Sequence, residues 1–141
     1  NPYAMSKYSL EQIAPENSLG MRFTTVYGPK AKPNMLIPKI LRNDVQYVNT
    51  NHKRDFIHID DLMSAIDILM LSKLNGVIDI GTGHSHQLTD IINYFKIDCE
   101  KKIGSENERL DNKADITTLN SLGWKPKINL YDYIKENRNV N

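Results

Sequence analysis

Tyr3 and Lys7 stand four residues apart, so on a helix both side chains leave one face. A phenol with a pKa near about 10 is a weak base at neutral pH. A cation beside it favours phenolate. Such a pair could take a proton from a ligand hydroxyl and return it. The same spacing recurs at Tyr131 and Lys135, and it equally fits a surface tyrosine lying over a lysine stem.

Other residues offer weaker chemistry. Gly81-Thr82-Gly83 follows an apolar run, where a phosphate-cradling loop would sit. A G-x-G-x-x-G fingerprint needs a third glycine at the position held by His86, so the reading favoured is a strand-to-helix turn. His84 and His86 look like half a metal site, but with no cysteine nearby and no clear third ligand they read as polar loop residues, and no metal is expected. His58 lies in an apolar context and reads as a hydrogen-bonded structural histidine. Arg54 could grip a diphosphate bidentately, or it could pair with Asp55, Asp60 or Asp61.

These residues need elements to place them. The run from Met21 to Val26 is aromatic and β-branched, as a packed strand prefers, and Gly28-Pro29 stops it. Before it, Asn1 as N-cap and Pro2 in the first turn predict a helix to Ile13, ended by Pro15. After it come a short helix over Met35 to Leu41, a strand over Val45 to Asn49 and an extended segment from Arg54 to Ile59. Asp60-Asp61 should cap a helix from Leu62 to Leu71, with Leu62, Ala65, Ile66, Leu69 and Met70 on its buried face. A strand over Val77 to Ile80 and a helical stripe through Leu88, Ile91, Ile92 and Phe95 follow. Short helices over Thr117 to Leu122, closed by Gly123, and over Tyr131 to Glu136 complete the chain. Asn137 to Asn141 should fray. The two apolar strands, Met21–Val26 and Val77–Ile80, should lie parallel in one sheet.

The chain has 141 residues, 40% of them hydrophobic and 25% charged, with a formal net charge of +1. This fits one soluble globular unit and gives no bulk attraction for nucleic acid or membrane. A lone cysteine, Cys99, excludes an intrachain disulfide and fits a reducing, cytoplasmic setting. No apolar run reaches the roughly 20 residues of a membrane span. The first residue is Asn1, which suggests that the chain comes from a longer reading frame.

Taken in order, several short segments resemble the extended short-chain dehydrogenase/reductase family, the NAD-dependent nucleotide-sugar epimerases and dehydratases. They are Pro2-Tyr3-Ala4-Met5-Ser6-Lys7, Arg22 to Pro29, Arg54 to Asp61, Asp79 to Gly83, Ala114-Asp115-Ile116 and Leu122 to Lys127. The resemblance implies an α/β fold, the C-terminal part of a Rossmann-like doubly wound parallel sheet with a small mixed substrate-binding region. Residues 1–29 would end the dinucleotide-binding domain, and 30–141 would bind the nucleotide sugar, with 76–83 returning to the sheet. Tyr3 and Lys7 look like the catalytic pair, Lys7 also reaching the nicotinamide ribose. Thr25, Met35, Leu36 and Arg54 look like substrate contacts, Arg54 on the diphosphate. Many members carry Asn where Thr25 stands. The family's Gly-rich loop, ribose-binding acid and catalytic Ser/Thr all precede the tyrosine and are absent here, so the chain resembles a C-terminal half. Thr24-Thr25-Val26-Tyr27-Gly28-Pro29 followed by Lys32-Pro33-Asn34-Met35 tilts the resemblance toward UDP-glucuronate or UDP-hexose 4-epimerases. The implied cofactor is NAD and the implied substrate a UDP-sugar, with a homodimer or an N-terminal half supplied in trans. A 4,6-dehydratase or a non-catalytic binding remnant is the alternative, and the chain by itself is expected to be inactive.

Overall fold

The apolar run after the first helix makes two strands rather than one. In the computed structural model, which describes residues 1–139, the break falls at Thr24. The elements are α1 (Pro2–Ile13), β1 (Leu19–Phe23), β2 (Thr25–Tyr27), α2 (Leu36–Leu41), β3 (Tyr47–Asn49), β4 (Lys53–Arg54) and β5 (Phe56–His58). There follow α3 (Ile59–Ser72), β6 (Gly76–Ile80), β7 (His86–Gln87), α4 (Leu88–Tyr94), β8 (Glu100–Lys102), α5 (Thr117–Ser121) and α6 (Leu130–Asn137). β1 pairs in parallel with β6, in register from Leu19 opposite Gly76 to Phe23 opposite Ile80. This is the parallel pairing expected of the two apolar runs. At Thr24 the chain changes partner. Its N–H donates to Ile80, the next N–H, of Thr25, donates to Asp55, and β2 then runs parallel to β5. β3 pairs with β8 in parallel, and β4 with β7 antiparallel.

Two cores meet across β5, because successive strand side chains face opposite ways. Phe56 joins Tyr27, Ile40, Val48, Ile91 and Ile134. Ile57 joins Leu62, Leu69, Ile80, Leu119 and Trp124. The Trp124 indole also donates to Ser64 Oγ at 2.9 Å, and Asp61 accepts the Lys127 and Ile128 amides at 3.0 Å each. Asp61 therefore ties the start of α3 to the segment leading into α6.

Several local expectations are corrected. His58, not Asp60 or Asp61, is the N-cap of α3, its Nδ1 accepting the Asp60 N–H at 3.1 Å. It is the hydrogen-bonded structural histidine expected there. The buried face of α3 is narrower than its sequence pattern: Leu62, Ala65 and Leu69 are buried, while Met70 is 73% exposed. The segment from Arg54 to Ile59 divides at Asp55, whose side chain turns inward. β7, which follows Gly83 before α4, and β8 are strands without a sequence signal. The tail is tied as far as Asn139: its N–H donates to Leu41 at 2.9 Å, and Arg138 Nη1 donates to Phe95 at 3.1 Å. The rest of the tail expected to fray, residues 140 and 141, lies outside the described residues.

α1 forms where Asn1 and Pro2 predict it, Asn1 Oδ1 accepting the Tyr3 N–H at 2.9 Å. It buries none of its residues, and Tyr3, Met5, Tyr8, Leu10 and Ile13 are exposed. Its tie to the sheet is a bidentate Glu11–Arg22 pair at 2.6 and 2.7 Å. That hydrogen-bonded pairing lowers the Glu11 pKa and raises that of Arg22.

Candidate active site

The break at Thr24 opens a cleft of about 530 Å³ beneath the loop that follows β2. Thr24, Thr25, Lys30, Lys32, Met35 and Ile59 are among its lining residues. Two of the sequence-predicted substrate residues, Thr25 and Met35, therefore meet here. Leu36 opens α2 and packs against the first core instead. Gly28 lets the loop pass close to α3: its φ is +142°, and a Cβ there would lie 2.8 Å from Ile59 Cγ2. The lining contains two lysines and no carboxylate side chain, so the cleft favours an acceptor or an anion.

Behind the cleft sits Asp55, fully buried. Its carboxylate accepts the Thr82 N–H at 2.9 Å, the Thr82 hydroxyl at 2.6 Å, the Gly83 N–H at 2.9 Å and the Ala114 N–H at 3.2 Å. These donors solvate the charge that burial would otherwise make costly. They also decide the role of Gly81-Thr82-Gly83. The turn gives its Thr82 and Gly83 amides to Asp55, so it is a structural corner rather than a phosphate cradle. Beside it Asn112 bridges two strands, accepting the Asp55 N–H at 2.7 Å and donating to Thr25 Oγ1 at 3.0 Å. Asp55 and Asn112 are the organising residues that sequence reading missed.

Arg54 is half-buried on β4 and is not among the residues lining the cleft. It makes none of the ion pairs considered for it. Its Nη1 donates to the Lys53 carbonyl at 2.7 Å and the Leu110 carbonyl at 3.3 Å. Burial lowers its pKa; Glu108 and Asp111 oppose that, and the nearby charge of Arg109 adds to it. Arg54 and Arg109 thus both donate to carbonyls of one short segment, Leu110 and Asp111, the latter at 2.9 Å.

Tyr3 and Lys7 meet on the open face of α1, with Lys7 Nζ 5.5 Å from the Tyr3 ring centroid and Tyr3 70% exposed. The look-alike pair does not do this. Lys135 turns to Tyr94, 5.2 Å from that centroid, while Tyr131 packs among His86, Tyr94 and Phe95. Burial raises the phenol pKa of Tyr27, Tyr131 and Tyr133, with Asp61 adding to the shift at Tyr27 and Asp90 at Tyr131. None of these three suits proton abstraction at neutral pH. His84 and His86 meet edge to face at 4.7 Å, and among the described residues no group of three His, Cys, Asp or Glu side chains could hold a metal. Among the described residues no helix is long and apolar enough to cross a membrane.

A model described as the NAD dependent epimerase/dehydratase family matches residues 1–81. The chain belongs to this family. Among curated epimerase/dehydratase relatives, a putative UDP-glucose 4-epimerase of Methanocaldococcus jannaschii is 29% identical over 96% of this chain and 51% of its own length. CDP-abequose synthase of Salmonella muenchen is 25% identical over 94% of this chain and 50% of its own. Among solved structures, an NAD-dependent NDP-hexosamine 5,6-dehydratase involved in tunicamycin biosynthesis superposes with a TM-score of 0.80 at 27% identity, over 97% of this chain and 52% of that one. The chain spans about half the length of the curated relatives it matches. Its fold is accordingly a mixed α/β arrangement of parallel strand pairs that matches about half of a Rossmann-like epimerase/dehydratase. A cofactor pyrophosphate needs free loop amides, and the Thr82 and Gly83 amides are given to Asp55.

Asp111 steadies the loop beside Arg54. It accepts the Ser85 hydroxyl and the Lys113 N–H, and the Ser85 hydrogen bond is the main cause of its lowered pKa. A carboxylate depressed by folding stabilises above its unfolded pKa and loses that contribution as pH falls through the folded value. Ser85→Ala is therefore expected to destabilise the chain at pH 5–7, with the difference from the parent shrinking as pH drops below about 4. Urea midpoints at pH 3 and pH 6 measure this; an equal penalty at both contradicts it.

Proposed function

We propose that the chain is the catalytic-pair and substrate-binding part of an NAD-dependent nucleotide-sugar 4-epimerase acting on a UDP-linked uronate or hexose in the cytoplasm. Residues 1–29 close the cofactor-binding domain and 30–141 hold the nucleotide sugar. What carries this reading is the contrast between two pairs of identical spacing: Lys7 lies over an exposed Tyr3, while Lys135 has left Tyr131 for Tyr94. The free pair has the access that proton transfer to a ligand requires.

Tyr3 takes the proton of the sugar 4-hydroxyl and returns it after the keto sugar has turned over. The Lys7 charge favours the phenolate form that accepts this proton and that is regenerated when the proton is returned. NAD, when bound, accepts and returns the hydride at C4. Thr25 and Met35 orient the sugar and its nucleotide, Leu36 supports them from the core, and Lys30 and Lys32 draw an anionic sugar into the cleft. Arg54, backed by Arg109, holds the diphosphate by exchanging its carbonyl partners for phosphate oxygens. The amide cradle for the cofactor comes from an N-terminal half, joined or in trans, and without it the 141 residues turn nothing over.

A nucleotide-sugar dehydratase is the second reading, favoured by the likeness to the 5,6-dehydratase. Both readings need Arg54. In the enzyme carrying its cofactor-binding half, Arg54→Ala is expected to weaken UDP binding by about 1.5–3 kcal/mol. Unchanged affinity in titration calorimetry removes Arg54 from the site.

A further inference from the structure

Thr25 enters the cleft with its hydroxyl already engaged on one side. Asn112 is the partner, and the polarity of that contact is not free. The Asp55 backbone N–H donates to Asn112 at 2.7 Å, and a backbone N–H has no other role. The atom facing it is therefore the amide oxygen, Oδ1. The other end of the same amide, Nδ2, must then face Thr25 Oγ1 at 3.0 Å and donate to it. A hydroxyl that accepts here still has its own proton to give. Among the described residues that proton meets no acceptor, and Thr25 lines the cleft.

We propose that Asn112 is a positioning residue that fixes Thr25 as a hydrogen-bond donor toward the cleft, so that the ligand group seated at Thr25 is an acceptor, preferentially a carboxylate. This rests on the cleft being the sugar site. Charge points the same way, because Lys30 and Lys32 line the cleft and no Asp or Glu does. The Thr24 hydroxyl, buried without a partner, stands beside it. A neutral hydroxymethyl group could satisfy one donor. A carboxylate satisfies several and gains charge-assisted bonds.

Asn112→Asp tests the polarity with almost no change of shape. The new carboxylate still accepts the Asp55 N–H but can no longer donate, so Thr25 turns its proton toward residue 112 and its lone pairs toward the ligand. Titration of the chain with UDP-glucuronic acid and with UDP-glucose gives two dissociation constants and their ratio. Asn112→Asp is expected to cut the preference for the uronate by about tenfold or more. Asn112→Ala, which lets the hydroxyl turn either way, cuts it less. In a Thr25→Val background Asn112→Asp has little further effect on the preference. A larger loss from Ala than from Asp means a merely structural role and overturns the proposal. An equal loss from Asn112→Asp with and without Thr25 means simple charge repulsion and also overturns it. If the chain binds neither nucleotide sugar, the proposed function fails. The polarity is then judged by NMR on the free chain: Overhauser contacts from the Asn112 side-chain amide protons to the Thr25 methyl group are expected, and their absence overturns the assignment.

Discussion

Tyr3→Phe is expected to lower turnover of a UDP-sugar by about 10²–10⁴-fold, the usual contribution of a positioned proton-transfer group. The measurement uses the enzyme completed by its cofactor-binding half. Tyr131→Phe, the matched control, should leave the rate almost unchanged, because the Tyr131 ring packs among His86, Tyr94 and Phe95 and its lysine has gone elsewhere. The loss from Tyr3→Phe should fall mainly on kcat, since removing a proton-transfer group affects the transition state more than ground-state binding. Equal losses from the two variants would remove Tyr3 from the chemistry.

Asp55→Ala is expected to cost about 3–5 kcal/mol of folding stability. Removing the carboxylate strands three amides and a hydroxyl that now donate to it in a buried setting, and each such group carries a penalty of about 1–3 kcal/mol unless water reaches it. Asp55→Asn should fall between, because its amide nitrogen replaces an acceptor with a donor. Gly81→Ala should mimic the damage from the other side: a Cβ there would lie 2.6 Å from Thr24 Cγ2 and 2.7 Å from both Ala114 Cβ and Asp55 Oδ2. Denaturant unfolding of the three variants reads this directly. A loss below about 1 kcal/mol for Asp55→Ala, the worth of one ordinary hydrogen bond, would show that the hub is not a hub.

Those two sites mark how far the sequence could be read. α1, the parallel pairing of β1 with β6, and the amphipathic helices rest on caps and apolar spacing within a few residues, and such signals are local. The family motifs were legible for the same reason. Asp55 was readable only as a neighbour of Arg54, because its partners lie 27, 28 and 59 residues away. Asn112 reaches Thr25 across 87 residues, and nothing in its own surroundings marks it. β7 is His86-Gln87 and β8 is Glu100-Lys101-Lys102; both are too short and too polar to show a period. The cap of α3 was misassigned because Asp60 and Asp61 are common capping types, while the buried His58 already stood one residue before the helix. Asp61 was then free to hold the Lys127 and Ile128 amides. The cleft itself comes from the change of strand partner at Thr24, a tertiary event inside an unbroken apolar run.

The reaction is read most directly by proton NMR of the sugar after incubation with NAD and the completed enzyme, using UDP-glucuronic acid and UDP-glucose in turn. The expected product is inverted at C4, with C6 intact and no net consumption of NAD. A 4-keto sugar that has lost its 6-hydroxyl would contradict epimerisation and establish the dehydratase.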